Sequence, residues 1–128
     1  MGRRLVRLGV RPDLIMTSPA VRALTTALHY ARQIGIPHEQ VRQNPAQYAA
    51  SAQELIQLIR AVDSGVTTLM LVGHNPESTY LANELGGLSI DNIPTCGIVA
   101  LAFSRRTWAE LAAGSGALLF FDYPKRKD

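Results

Sequence analysis

The sequence predicts an α/β protein: a three-layer α/β/α arrangement around a mostly parallel sheet, in one domain spanning residues 1–128. Three observations predict it. Strand-like and helix-like segments alternate along the chain, which implies parallel pairing through helical crossovers. One strand segment, TLMLVG, is apolar throughout, as suits a strand covered on both faces. Two strand segments run straight into a polar residue and a proline, Ser18-Pro19 and Asn75-Pro76, the signal of a helix beginning where a strand has just ended.

The elements follow in order. GRRLVRLG carries Leu5, Val6 and Leu8 at helical spacing, and Gly9 is its expected stop. Pro12 and Asp13 lead into a short strand, LIMTS. Ser18 is the expected N-cap of a long helix, AVRALTTALHYARQIG, with Pro19 at its first position and Gly35 at its end. Residues 41–44 form a second short strand. The segment QYAASAQELIQLIRAV places Leu55, Leu58, Ile59 and Val62 on one helix face, and Ser51 with Glu54 forms a capping box. Asp63-Ser64-Gly65 is a turn before TLMLVG. Asn75-Pro76 then starts a helix that Gly86-Gly87 ends. IVALAF and ALLFFDYP are two further strands, separated by a short helix around residues 107–111.

Composition narrows the classes. Of the 128 residues, 47% are hydrophobic and 18% charged, an ordinary globular balance. No apolar run approaches the ~20 residues that span a bilayer, so no membrane association is expected. The first residues, MGRRLVRLGV, carry charges but no apolar signal core. One cysteine excludes an internal disulfide and fits a reducing, cytoplasmic setting. The excess of 13 basic over 10 acidic residues lies largely at the two ends, in Arg3, Arg4, Arg7 and Arg11 and in Lys125, Arg126 and Lys127. Solvated surface is the plain reading of those clusters. No nucleic-acid motif or basic–aromatic interleaving supports a nucleic-acid partner.

In open parallel sheets, ligands bind beyond the carboxyl ends of the strands. The turns TSPAVRA and GHNPES are therefore expected on one edge, each opening a helix whose first N–H groups are unpaired. Two such helix starts suit an anion. Arg22 lies one turn into the first helix, and its planar fork matches phosphate oxygens. His74 follows the strand TLMLVG, just before the second of these helices, and can donate to an oxyanion. Arg22 and His74, with Ser18 and Asn75 at the helix starts, are the candidate phosphate-binding residues. A solvated arginine and a structural histidine are the plain alternatives. His29, His38 and Cys96 show no metal-ligand spacing among themselves or with His74, and no metal is expected. Cys96 lacks the following arginine of a cysteine phosphatase loop, and Ser18 lacks a G-x-S-x-G elbow. Tyr48, Tyr80 and Trp108 are expected to pack rather than stack on a ligand.

The segments RPDLIMTSPAVRALTTA, LMLVGHNP, IPTCGIVALAF and FFDYPK, in this order, resemble the histidine phosphatase superfamily, with its phosphoglycerate mutase-like fold. They are most similar to its short bacterial phosphohistidine phosphatases of SixA type. The resemblance covers essentially the whole chain. It implies hydrolysis of a phosphorylated protein or a small phosphate ester, without metal or organic cofactor. A histidine in an Arg-His motif attacks phosphorus, and water then hydrolyses the phosphohistidine. Arg22 matches the family's second arginine and His74 its second histidine. The family's general acid has no secure counterpart, although Glu77 lies near the right turn.

The Arg-His motif has no match, and no Arg-His dipeptide occurs in the chain. MGRRLVRLGVRPDL resembles the end of the family's first helix. The resemblance thus implies a missing first strand, nucleophile and first phosphate-binding arginine, whether from a misassigned start, from truncation or in a non-catalytic descendant. A non-catalytic phosphate- or phosphopeptide-binding module is the alternative to a phosphatase. The missing strand is expected between the strands ending in TSPA and GHNP. Those two strands should then close on each other directly or form a homodimer through their exposed edges.

Overall fold

The computed structural model describes residues 2–104 and 106–124. Lys125, Arg126 and Lys127, the expected basic cluster at that end, lie outside them. The chain divides into two compact units. Residues 1–50 and 64–74 make the first, and residues 51–63 and 75–128 the second.

The first unit is built on a parallel sheet. Its helices are α1 (Gly2–Arg7) and α2 (Val21–Ile34), and its strands are β1 (Leu14–Thr17), β2 (Val41–Gln43) and β3 (Leu69–Val72). The strand order is β2-β1-β3. β1 therefore lies in the middle and is buried along its whole length. Ile15 pairs with Val41 on one side and Met70 on the other, and Thr17 with Gln43 and Val72. The strands ending in TSPA and GHNP are thus direct neighbours in parallel register, with no strand between them. This pairing is the direct closure anticipated as one outcome. Both edges of β1 are occupied, and the outer edges of β2 and β3 are the open ones of this sheet.

Asp13 fixes that register from the amino end. Its carboxylate accepts the backbone N–H groups of Thr67 and Thr68, both at 2.9 Å, and its own N–H donates to Thr68 O at 2.8 Å. These two N–H donors hold the Asp13 carboxyl below its ordinary range. Helix α2 ends as expected, with Gly35 in the left-handed region at φ 86°. The Arg11 guanidinium donates to the last carbonyls, Ile34 O at 3.0 Å and Gly35 O at 3.1 Å, which gives one basic residue of the amino-terminal cluster a structural task. α1 buries Gly2 and Leu5, whereas Val6 and Leu8 are exposed. The inward stripe is therefore narrower than the apolar spacing suggested.

The second unit contains α3 (Ala52–Arg60), α4 (Glu77–Gly86) and an antiparallel pair, β4 (Ile98–Ala102) with β5 (Ala117–Asp122). The expected capping box is formed. Ser51 Oγ accepts from Glu54 N–H at 3.2 Å, and Glu54 Oε1 accepts from Ser51 N–H at 3.1 Å. α3 buries Leu55, Ile56 and Ile59, while Leu58 stays half-exposed. β4 and β5 pair antiparallel, and the described residues between them form the 3-10 turn Trp108–Glu110 and no α-helix. A parallel return needs a crossover the length of a strand, usually a helix. Among the described residues, no helix is long and apolar enough to cross a membrane.

Candidate functional site

The parallel register decides what meets at the carboxyl edge of the first unit's sheet. Because Thr17 is opposite both Gln43 and Val72, the chain leaves three adjacent strands at one level, as Ser18, Asn44 and Gly73. Neighbouring strands lie only about 4.8 Å apart, so residues remote in sequence become neighbours there. Strand order also reverses between β1 and β3. Such a reversal is where open α/β sheets leave a crevice for ligands.

Ser18 and His74 face each other across that reversal. His74 Nε2 lies 3.3 Å from Ser18 Oγ. Ser18 is wholly buried, and its Oγ accepts the N–H of Ala20 at 3.2 Å. Ser18 is therefore not the N-cap of α2, as the sequence suggested. It closes a serine turn one step earlier, and Ala20 occupies the cap position without a side-chain bond. The first N–H groups of α2 are consequently left without a protein cap, a setting that suits an anion. Arg22 is exposed on the first turn of the same helix, and its guanidinium has no hydrogen-bond partner among the described residues. Ser18, Arg22 and His74 thus all belong to the first unit, around one helix start.

Asn75 begins the second unit and is engaged inside it. Its Nδ2 donates to Ile93 O at 2.7 Å and Asn92 Oδ1 at 3.3 Å, and its Oδ1 accepts from Thr79 Oγ1 at 2.8 Å. Thr79 Oγ1 in turn accepts the N–H of Ile93 at 3.1 Å. These bonds tie the start of α4 to the following loop. Asn75 does not cap α4 either; that position belongs to Pro76. Glu77 is half-buried in the first turn of α4. His29 and His38 are exposed, and Cys96 is exposed at φ 60°. Among the described residues no group of three or more His, Cys, Asp or Glu side chains could hold a metal ion.

No family model matches the chain. It is 32% identical over 123 residues to an uncharacterized protein of Mycobacterium tuberculosis, covering 88% of this chain and 74% of that one. An uncharacterized protein of Mycobacterium leprae is 31% identical over 122 residues, with 88% and 72% covered. The chain belongs to one family with these mycobacterial proteins. Among solved structures, SixA from Nakamurella multipartitia, assigned as a phosphohistidine phosphatase, superposes with a TM-score of 0.72 at 21% identity, covering 97% of this chain and 78% of its own. SixA from Agrobacterium tumefaciens, likewise assigned, gives 0.73 at 23%, with 96% and 75% covered. The protein histidine phosphatase SixA complexed with tungstate gives 0.76 at 19%, with 94% and 74% covered. The chain shares the fold of these SixA structures.

Within that SixA-type fold, some residues at the sheet edge escape sequence reasoning. Gln47 ends the 3-10 turn Pro45–Gln47 and is 4% exposed, and its Nε2 donates to Val72 O at 3.2 Å. A polar residue between Ala46 and Tyr48 gives no sequence signal of burial. The expectation of packing is corrected for two tyrosines. Tyr48 is 65% and Tyr80 58% exposed. Tyr48 stands where the backbone turns into the left-handed region at Ala49, φ 56°, and Tyr80 lies off the buried face of α4, which carries Thr79, Leu81, Ala82 and Leu85.

Proposed function

We propose that this chain is a phosphatase-like member of the SixA fold whose first unit binds a phosphoryl group of a phosphohistidine protein or a small phosphate ester. The observation that carries the reading is the meeting of Ser18 and His74, 3.3 Å apart, beside the uncapped start of α2 that bears Arg22. Arg22 would hold two phosphoryl oxygens with its fork. The α2 N–H groups would face a third oxygen. His74 would donate to the charge that develops as phosphorus is attacked. Ser18 is then the residue that orients His74 rather than a ligand of the anion. Asn75 serves the site as the anchor of the segment after His74, not through its own amide, which is already engaged.

The mechanism that the resemblance implies needs a nucleophilic histidine in an Arg-His pair, and these 128 residues contain none. The chain as it stands therefore binds but does not turn over. The likeness to a protein histidine phosphatase supports a phosphorylated protein as the parent substrate. A phosphopeptide-binding role without catalysis uses the same residues. Incubation of the purified chain with a phosphohistidine peptide separates binding from turnover. Retention of the phosphoryl group with saturable binding is expected. Hydrolysis that disappears in His74→Ala would contradict it.

The same reading extends to assembly. The outer edge of β3 carries only Leu69, Met70, Leu71 and Val72, all half-exposed, whereas the opposite edge strand β2 is three residues long and carries Arg42 and Gln43. Apolar edges without charge or proline invite another strand. A second copy paired along β3 would cover it.

A further inference from the structure

One buried polar side chain at the sheet edge has no part in the pocket as described. The Gln47 amide donates to Val72 O, and the N–H of Ser18 donates to the same carbonyl at 3.3 Å. A carbonyl oxygen has two lone pairs, and here both are used. Only Gly73, with no side chain to anchor, separates that carbonyl from His74. The orientation of the Val72–Gly73 peptide therefore governs where His74 is presented.

The amide is costly where it sits. Gln47 Oε1 is buried and has no hydrogen-bond partner among the described residues. Leaving a buried acceptor unpaired disfavours the fold, and an apolar residue of similar size would avoid that penalty. The segment is strained as well: two residues on, Ala49 holds a left-handed φ of 56°, a conformation that a residue with a Cβ adopts at a cost. At the other end, Asn44 Oδ1 accepts the N–H of Ala46 at 3.0 Å, and Asn44 N–H donates to Thr17 O at 2.9 Å. The turn is thus fastened to β1 while its glutamine reaches β3.

From this geometry we infer that Gln47 is a positioning residue: it holds the carboxyl end of β3 so that His74 meets Ser18 and the start of α2. The inference rests on the reading of His74 as a phosphoryl ligand and adds a residue to it. Gln47 touches no ligand itself. It acts through the Val72 carbonyl.

The test uses the whole chain and two readouts. The first is binding of inorganic tungstate, measured by calorimetry for wild type, Arg22→Ala and Gln47→Met. The second is the NMR signal of the His74 ring nitrogens in the anion-free protein, together with the urea midpoint. Gln47→Met is expected to keep or raise the midpoint, since it removes an unpaired buried oxygen. It should weaken tungstate binding roughly three- to tenfold, the worth of one hydrogen bond, and shift the His74 Nε2 signal. Gln47→Glu should recover the wild-type His74 signal as pH falls, because only its protonated carboxyl can donate to Val72 O. If Gln47→Met does not fold, this second variant carries the test. A purely structural role predicts a lower midpoint with an unmoved His74 signal, and that result overturns the inference. Failure of wild type to bind tungstate would sink the phosphoryl reading instead, and the His74 signal would then decide the positioning role alone.

Discussion

At the scale of single residues, what each polar group can do depends on the partner it already has. Arg22 has none among the described residues, and a planar cation at a helix start suits an anion with several oxygens. Replacing it with lysine keeps the charge and loses the fork, so Arg22→Lys should weaken phosphate binding by about 10-fold, near the value of one charge-assisted hydrogen bond. Titration of inorganic phosphate followed by NMR checks this, and equal affinities would argue against a bidentate contact. Asp13 illustrates the opposite case, a charge fully employed in structure. Its folded pKa lies below the ordinary 3.8 because two backbone N–H groups bind the carboxylate. Glu54 is likewise lowered from 4.5, first by the N–H of Ser51 and then by its hydroxyl. A depressed acid stabilises the fold above its unfolded pKa, and that contribution disappears as pH falls through the folded value. Stability should therefore decline on acidification below about pH 4. In urea unfolding from pH 7 to pH 2, Asp13→Asn should flatten part of that decline, and an unchanged slope would remove Asp13 from the explanation.

At the scale of elements, local chemistry was readable where a signal lies within a few residues. The Ser51–Glu54 capping box and the Gly35 stop of α2 are formed as the sequence implies. Ser51→Ala should cost about 1 kcal/mol, measurable as a lower urea midpoint. An unchanged midpoint would mean that α3 is held by burial of Leu55, Ile56 and Ile59 alone. The reading was less secure where a local signal had two uses. Ser-Pro and Asn-Pro both look like cap plus first helical residue. Yet Ser18 closes a turn and meets His74, and Asn75 binds Asn92, Ile93 and Thr79. A short polar side chain beside proline can bond forward, backward or across, and only the neighbours brought by the fold decide which. The antiparallel β4–β5 pair could be anticipated only from the lack of a full helix between its strands. Gln47 could not be found at all, because its burial depends on Val72, far away in sequence.

At the scale of the whole molecule, sheet order was the decisive unknown. The alternation of strands and helices made a parallel sheet legible. The two motif-bearing turns were also legible as neighbours on one edge, and β1 and β3 do pair directly. Among the described residues no strand lies between them, and the sheet's open edges are the far side of β2 and, apolar along its length, the far side of β3. Proposed pairing of a second copy along this edge predicts a concentration-dependent rise toward twice the 13.9 kDa chain mass in sedimentation equilibrium. A monomer at all concentrations would reject it. The central claim is that the start of α2, Arg22 and His74 form a phosphoryl pocket. Its most direct test is a crystal structure of the chain soaked with tungstate. The oxyanion is expected at the first N–H groups of α2, within hydrogen-bond reach of the Arg22 guanidinium and the His74 ring. Tungstate bound elsewhere, with that helix start unliganded, would contradict it.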